Sequence, residues 1–151
     1  MMRCVFARHA TAADLDAVLL LVDQMFRDLG TPDTSEPWRD AALGRLADEG
    51  TGVFVTTDEV GTVIAVAVGV VDQRLPSPRR PSGRIGYVEW LATNPGHLRR
   101  GAARAAMEAL LVWFDEQDHG AVDVHSSAVA APLYRSLGFT DPSATALRLG
   151  K

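Results

Sequence analysis

The chain has 151 residues, 47% hydrophobic and 23% charged, which is the size and make-up of one ordinary globular domain spanning residues 1–151. Its formal net charge of −4 argues against nucleic acid as the main partner, because phosphate binding needs a cationic face. A single cysteine, Cys4, rules out a disulfide framework or a zinc cluster and reads as a small buried hydrophobe. No run approaches the ~20 apolar residues of a membrane span, and no N-terminal secretion signal is seen, so a cytoplasmic protein is expected.

In chain order, residues 2–8 read as a strand. Thr11-Ala12-Ala13-Asp14 has the form of a capping box. Leu15, Val18, Leu19, Val22, Phe26 and Leu29 then recur at spacings of three and four, one face of a helix ended by Gly30 and Pro32. A second helix is predicted from Ser35, with Pro37 in its first turn, Trp38, Ala42 and Leu46 buried, and Gly50 as its end. Val53-Phe54-Val55 and Val63 to Val71 are rich in β-branched residues and flank Asp58-Glu59-Val60-Gly61, a hairpin with a four-residue turn. Leu75 to Gly83, with Pro76, Pro78 and Pro81, is a loop long enough to serve a substrate. Arg84 to Thr93 is a strand, Gly101 to Asp118 an alanine-rich helix closed by Gly120, and Ala121 to His125 a short strand. Ala128 to Leu137 is a helix and Thr145 to Leu149 a final strand. The order β-α-α-β-β-β-α-β-α-β predicts a mixed sheet with helices on its faces.

The stretch between the 84–93 strand and the next helix carries the chemistry. A helix start exposes unpaired N–H groups and partial positive charge, so its own side chains are usually acidic. Here Arg99, Arg100 and Arg104 lie in or beside the first turn, where each cation costs roughly 0.3–1 kcal/mol if nothing offsets it. A bound polyanion would offset it, and Gly101 and Ala103 leave room for a diphosphate to approach the backbone. An arginine-rich start on a solvated surface is the competing reading. The Walker spacing and the dinucleotide glycine fingerprint are both missing, which argues against ATPase, GTPase and dinucleotide chemistry.

Pro95, Arg99, Arg100, Gly101 and Ala103 resemble the Arg/Gln-x-x-Gly-x-Gly/Ala loop of the GNAT superfamily of N-acetyltransferases, with Leu98 where arginine or glutamine is usual. Leu133-Tyr134-Arg135-Ser136-Leu137-Gly138-Phe139 resembles the Leu-Tyr-x-x-Leu-Gly-Phe ending of the same family. The resemblance implies an α/β (α+β) fold, with a mixed, mostly antiparallel sheet, splayed central strands and helices on both faces. It also implies acetyl-CoA as co-substrate and direct transfer of the acetyl group to a primary amine of a small molecule or peptide. The CoA pyrophosphate would meet Leu98, Arg99, Arg100, Gly101, Ala102, Ala103 and Arg104. The pantetheine arm would meet the backbone of Leu91, Ala92 and Thr93, and Ser127 stands where asparagine is frequent. Homodimers are common in the family; the sequence leaves the oligomeric state open.

Three groups are candidates for proton transfer. Tyr134 stands at the family's usual general acid for the CoA sulfur, against a packing role for its ring. Glu89 interrupts Tyr87-Val88-Glu89-Trp90-Leu91-Ala92, where burial would raise a carboxyl pKa toward that of a useful base. His125, at a strand end, is the rival base. His97 is placed to meet a phosphate, His119 reads as a helix cap, and His9 has no comparable placement. No histidine or carboxylate pair has metal-ligand spacing, so no metal is expected. A non-catalytic CoA- or acyl-CoA-binding sensor remains the alternative: it needs Arg99 to Arg104 but neither Glu89 nor Tyr134.

Overall fold

The computed structural model describes residues 6–31, 35–98, 100–117 and 120–150. Cys4, Arg99, Asp118 and His119 therefore lie outside the described residues, as does most of the predicted 2–8 strand. Five strands form one sheet in the order β1 (Ala7–His9), β2 (Thr51–Thr57), β3 (Val63–Gln73), β4 (Arg84–Thr93) and β5 (Val122–Val124). The first four are joined antiparallel, and β5 runs parallel to β4. Helices α1 (Leu15–Asp28) and α2 (Glu36–Leu46) cover one face, while α3 (Ala102–Glu116) and α4 (Ala131–Ser136) cover the other.

Strand alternation divides the core in two. Val53, Val55, Val66 and Val68 point to α1, whose Val18, Leu19 and Val22 are the periodic residues of the sequence. Phe54, Ala67 and Val88 point to α3 and meet Ala106, Met107, Leu110 and Phe114. The Phe114 ring lies flush on the sheet because two strand positions beneath it have no side chain. A Cβ at Gly69 would stand 2.5 Å from that ring, and one at Gly86 2.8 Å from it.

The start of α1 is tied to the sheet. Asp14 accepts hydrogen bonds from the Thr11 N–H (2.7 Å) and hydroxyl (3.1 Å), and both its oxygens take the Arg8 guanidinium at 2.6 and 3.0 Å. The Arg8 bond, more than the Thr11 contacts, holds the Asp14 carboxyl well below the usual carboxylate range. Its contribution is therefore fully present above about pH 4 and is lost as pH falls from there toward the depressed folded value. Asp14→Ala is expected to cost about 1–2 kcal/mol at pH 7. Arg8 is half exposed, so solvent screening trims its share. Thermal unfolding of both forms at pH 7 and at pH 3 checks this; the gap should narrow in acid.

The expected strand at Thr145–Leu149 is not one. Residues 140–150 run as exposed coil, with Leu147 and Leu149 in solvent. Five residues do not make a strand without a partner edge, and the 137–146 segment stands off β5 across a cavity of about 800 Å³.

Candidate active site

A loop and a bulge build the site. After β4 the chain makes one 3-10 turn at Pro95–His97, and the Asn94 side chain accepts from the Gly96 N–H at 2.9 Å. Gly101 then takes φ 80°, a left-handed value that glycine adopts without strain, with nothing within 4 Å of where a Cβ would stand. The first intrahelical bond of α3 runs from the Ala105 N–H to the Gly101 carbonyl (3.0 Å). The N–H groups of Ala102, Ala103 and Arg104 thus have no intrahelical partner, and no acid occupies the first turn. Thr56, fully buried on β2, donates its hydroxyl to the Ala102 carbonyl at 2.8 Å and fixes this helix end to the sheet. Sequence reasoning missed Thr56; a hydroxyl inside an apolar strand was the available signal.

The basic residues of the loop separate. Leu98 and Arg100 are exposed. Arg104 turns along the helix, bonding Glu108 (3.1 Å) and the Ser136 hydroxyl of α4, so its side chain braces two helices instead of facing the open N–H groups. His97 is turned inward, its Nδ1 buried without a partner among the described residues. Ser127 uses its hydroxyl on the Ala130 N–H (3.2 Å), capping the turn before α4.

Among the described residues, strands β4 and β5 pair from Gly86↔Val122 to Val88↔Val124, after which β4 continues without a strand on that side to Thr93. The edge that includes Leu91, Ala92 and Thr93 is therefore open toward β5. On its other side, β4 carries a bulge: Val68 faces Trp90 and Gly69 faces Val88, leaving Glu89 as the extra residue. Val88 and Leu91 belong to the α3 side of the core, whereas Glu89 and Trp90 both line a pocket on the α2 side. The bulge thus puts two consecutive side chains on one face.

Glu89 stands at the mouth of that pocket, exposed overall. Partial burial, reinforced by Asp72 and opposed by Arg45, raises its carboxyl above the ordinary value. Tyr134 approaches from the other face. It is buried against Phe139 (ring centroids 5.4 Å), and burial, with a smaller effect from Tyr87, pushes its hydroxyl up to about 12. Tyr87, on β4 at the level of the splay, lies within electrostatic reach of both Glu89 and Tyr134. Its hydroxyl meets His125 Nδ1 at 2.7 Å. His125 is thereby engaged with Tyr87, a pairing that sequence separation had concealed. His9 stacks on Phe54 at 4.2 Å, away from these groups. Among the described residues, no cluster of three His, Cys, Asp or Glu is placed to hold a metal ion, and no helix is long and apolar enough to cross a membrane.

The splayed strands, the bulge and the open helix start coincide with a family match. Residues 21–139 fit the model of the acetyltransferase (GNAT) family. The chain belongs to the GNAT family of acetyltransferases. Solved GNAT structures share its fold. A GCN5-related N-acetyltransferase from Ralstonia eutropha is 26% identical, with 97% of this chain and 99% of that one covered and a TM-score of 0.81. A predicted acetyltransferase from Clostridium acetobutylicum, solved with acetyl-CoA, is 19% identical over 97% and 96%, with a TM-score of 0.83. An aminoglycoside acetyltransferase from an uncultured soil metagenomic sample, in complex with sisomicin, is 17% identical over 97% and 95%, with a TM-score of 0.75. Among curated proteins, none matches the chain in sequence. The mixed, mostly antiparallel sheet with helices on both faces is the one expected from the sequence.

Proposed function

We propose that this GNAT domain is an acetyl-CoA-dependent N-acetyltransferase that moves the acetyl group directly onto a primary amine. The observation that carries the reading is the opening of β4 from β5 beside an α3 start with free N–H groups and glycine at its cap. That arrangement fits a diphosphate at the helix and an extended arm along the strand, and the acetyl-CoA-bound Clostridium acetobutylicum structure shares the fold. The backbone N–H groups of Ala102 to Arg104 behind the Gly101 cap, with Arg99 and Arg100 of the preceding sequence, would hold the diphosphate. The backbone of Leu91 to Thr93 would hold the arm. Acetyl-CoA supplies the acetyl group as a thioester.

The chain's own groups then move the protons. Glu89, its carboxyl raised by partial desolvation, takes a proton from the incoming ammonium, directly or through water, so that the nitrogen lone pair can form the new C–N bond. Tyr134, protonated throughout the neutral range, gives its proton to the sulfur as the C–S bond breaks, and the second proton that the nitrogen sheds as the amide forms returns to the Tyr134 oxygen through water. His125, held by Tyr87, is assigned a supporting place at the strand end instead of the base.

Thermal unfolding with acetyl-CoA, CoA and ATP tests the reading. At ~100 times its Kd, a ligand specific to the folded state adds about 2.7 kcal/mol. For a chain of this length that is a rise of roughly 5–11 °C. Acetyl-CoA and CoA should give it and ATP should not. No rise with either CoA form at saturation would sink the proposal.

A further inference from the structure

The pocket beneath the bulge has a chemistry of its own. It encloses about 290 Å³ between α2 and the sheet, near the small end for ligand sites. Trp38 from α2 and Trp90 from β4 form its aromatic wall, their ring centroids 6.3 Å apart. Phe26 of α1 stands edge-on to both, at 5.8 and 6.2 Å, and fixes the two indoles in place. Ala42, Val68 and Val70 extend the apolar lining. The polar lining is confined to Arg45, Thr51 and Glu89. Arg45 already donates to Asp48 at 2.8 Å, while Asp72 adds a second carboxylate within electrostatic reach of Glu89. The Thr51 hydroxyl oxygen is buried with no partner among the described residues.

From this geometry we infer that the pocket selects small amines carrying one apolar or aromatic group and no carboxylate. The cation would sit at Glu89 and the apolar part against the wall that Trp38 and Trp90 form together. Indole faces attract a cation as well as an apolar ring, and the acids outnumber the single, already paired arginine. A polyhydroxylated amine such as sisomicin is excluded by the same features. The volume suits one ring, and an apolar wall leaves hydroxyls stripped of water without partners. A free amino acid is disfavoured because its carboxylate would face Glu89 and Asp72. The inference rests on the acetyltransferase reading for its chemistry, but pocket binding is measured without turnover.

Tryptophan fluorescence of the full chain with CoA present reads binding directly, since two of its three tryptophans form the wall. Phenethylamine is expected to bind at least tenfold more tightly than 2-phenylethanol, phenylalanine or sisomicin. Ala41→Trp, on an exposed position of α2 at the pocket, should weaken phenethylamine at least tenfold and leave the thermal rise with acetyl-CoA intact. Equal or tighter binding of sisomicin or phenylalanine, no binding of phenethylamine, or an indifferent Ala41→Trp overturns the inference while leaving the acetyltransferase reading standing. If that variant does not fold, the ranking of the four probes decides alone. Failure of acetyl-CoA to stabilise the unaltered chain is the separate result that removes the acetyltransferase reading.

Discussion

Tyr134→Phe is expected to lower kcat by about 10²–10⁴, the range typical of losing a positioned acid. Binding of acetyl-CoA should hardly change. The substitution separates chemistry from packing because phenylalanine keeps the ring. That ring fills the α3 side of the core and meets Phe139 edge-on, and no described residue hydrogen-bonds the hydroxyl. The folded state therefore loses little. With the hydroxyl pushed up to about 12, Tyr134 stays protonated across the working range, so no alkaline loss of activity below about pH 11 should be traceable to it. Thiol release from acetyl-CoA with an accepted amine, followed beside a thermal-shift titration, measures both quantities. An unchanged kcat would reduce Tyr134 to a packing residue and leave water to protonate the departing thiolate.

Phe114→Ala is expected to be the most damaging single change to stability, at about 3–5 kcal/mol. Domains commonly have only ~5–15 kcal/mol in hand. Phe114 is fully buried, and its ring rests directly on the backbone of β3 and β4 at Gly69 and Gly86. Truncation leaves a void floored by rigid sheet, which cannot collapse as a loop would. The midpoint should fall by roughly 6–20 °C, with the denaturant slope unchanged if unfolding remains two-state. A loss below ~1 kcal/mol would mean that α3 can settle onto the glycines without the ring.

Helix α1 and the central strands were legible because they carry a strong period or β-branched runs. Val18, Leu19 and Val22 are buried as their spacing requires, and Val63 to Val71 forms the body of β3. Leu29 fits the same helical period yet is exposed, since it lies just past the end of α1. The final strand misled because a run as short as Thr145–Leu149 says nothing of a partner. Within the site, Glu89 stood out as a carboxylate in an apolar run, and Tyr134 through its motif. The arginines of the loop did not reveal that Arg104 is occupied by Glu108 and Ser136. The loop Leu75–Gly83, read from the sequence as a candidate for the substrate side, lays its Arg80 against Gly120 beside β5. The meeting of Trp38 with Trp90, 52 positions apart, depends on how α2 lies on the sheet, which no local pattern encodes.

The extra residue in β4 also limits how this protein can change over evolutionary time. A point substitution can alter Glu89 or Trp90 separately, so proton chemistry and pocket shape can drift apart. Deleting one codon there has a different effect. It restores strict alternation: Val88 stays opposite Gly69, whichever of Glu89 and Trp90 remains stands opposite Val68 on the α2 side, and Leu91 to Thr93 keep their pairing. The pocket would keep either the acid or the Trp90 wall, but not both. Length at this point of the gene is therefore constrained by the pocket's need for both side chains, while the pairing of the rest of β4 is indifferent to it.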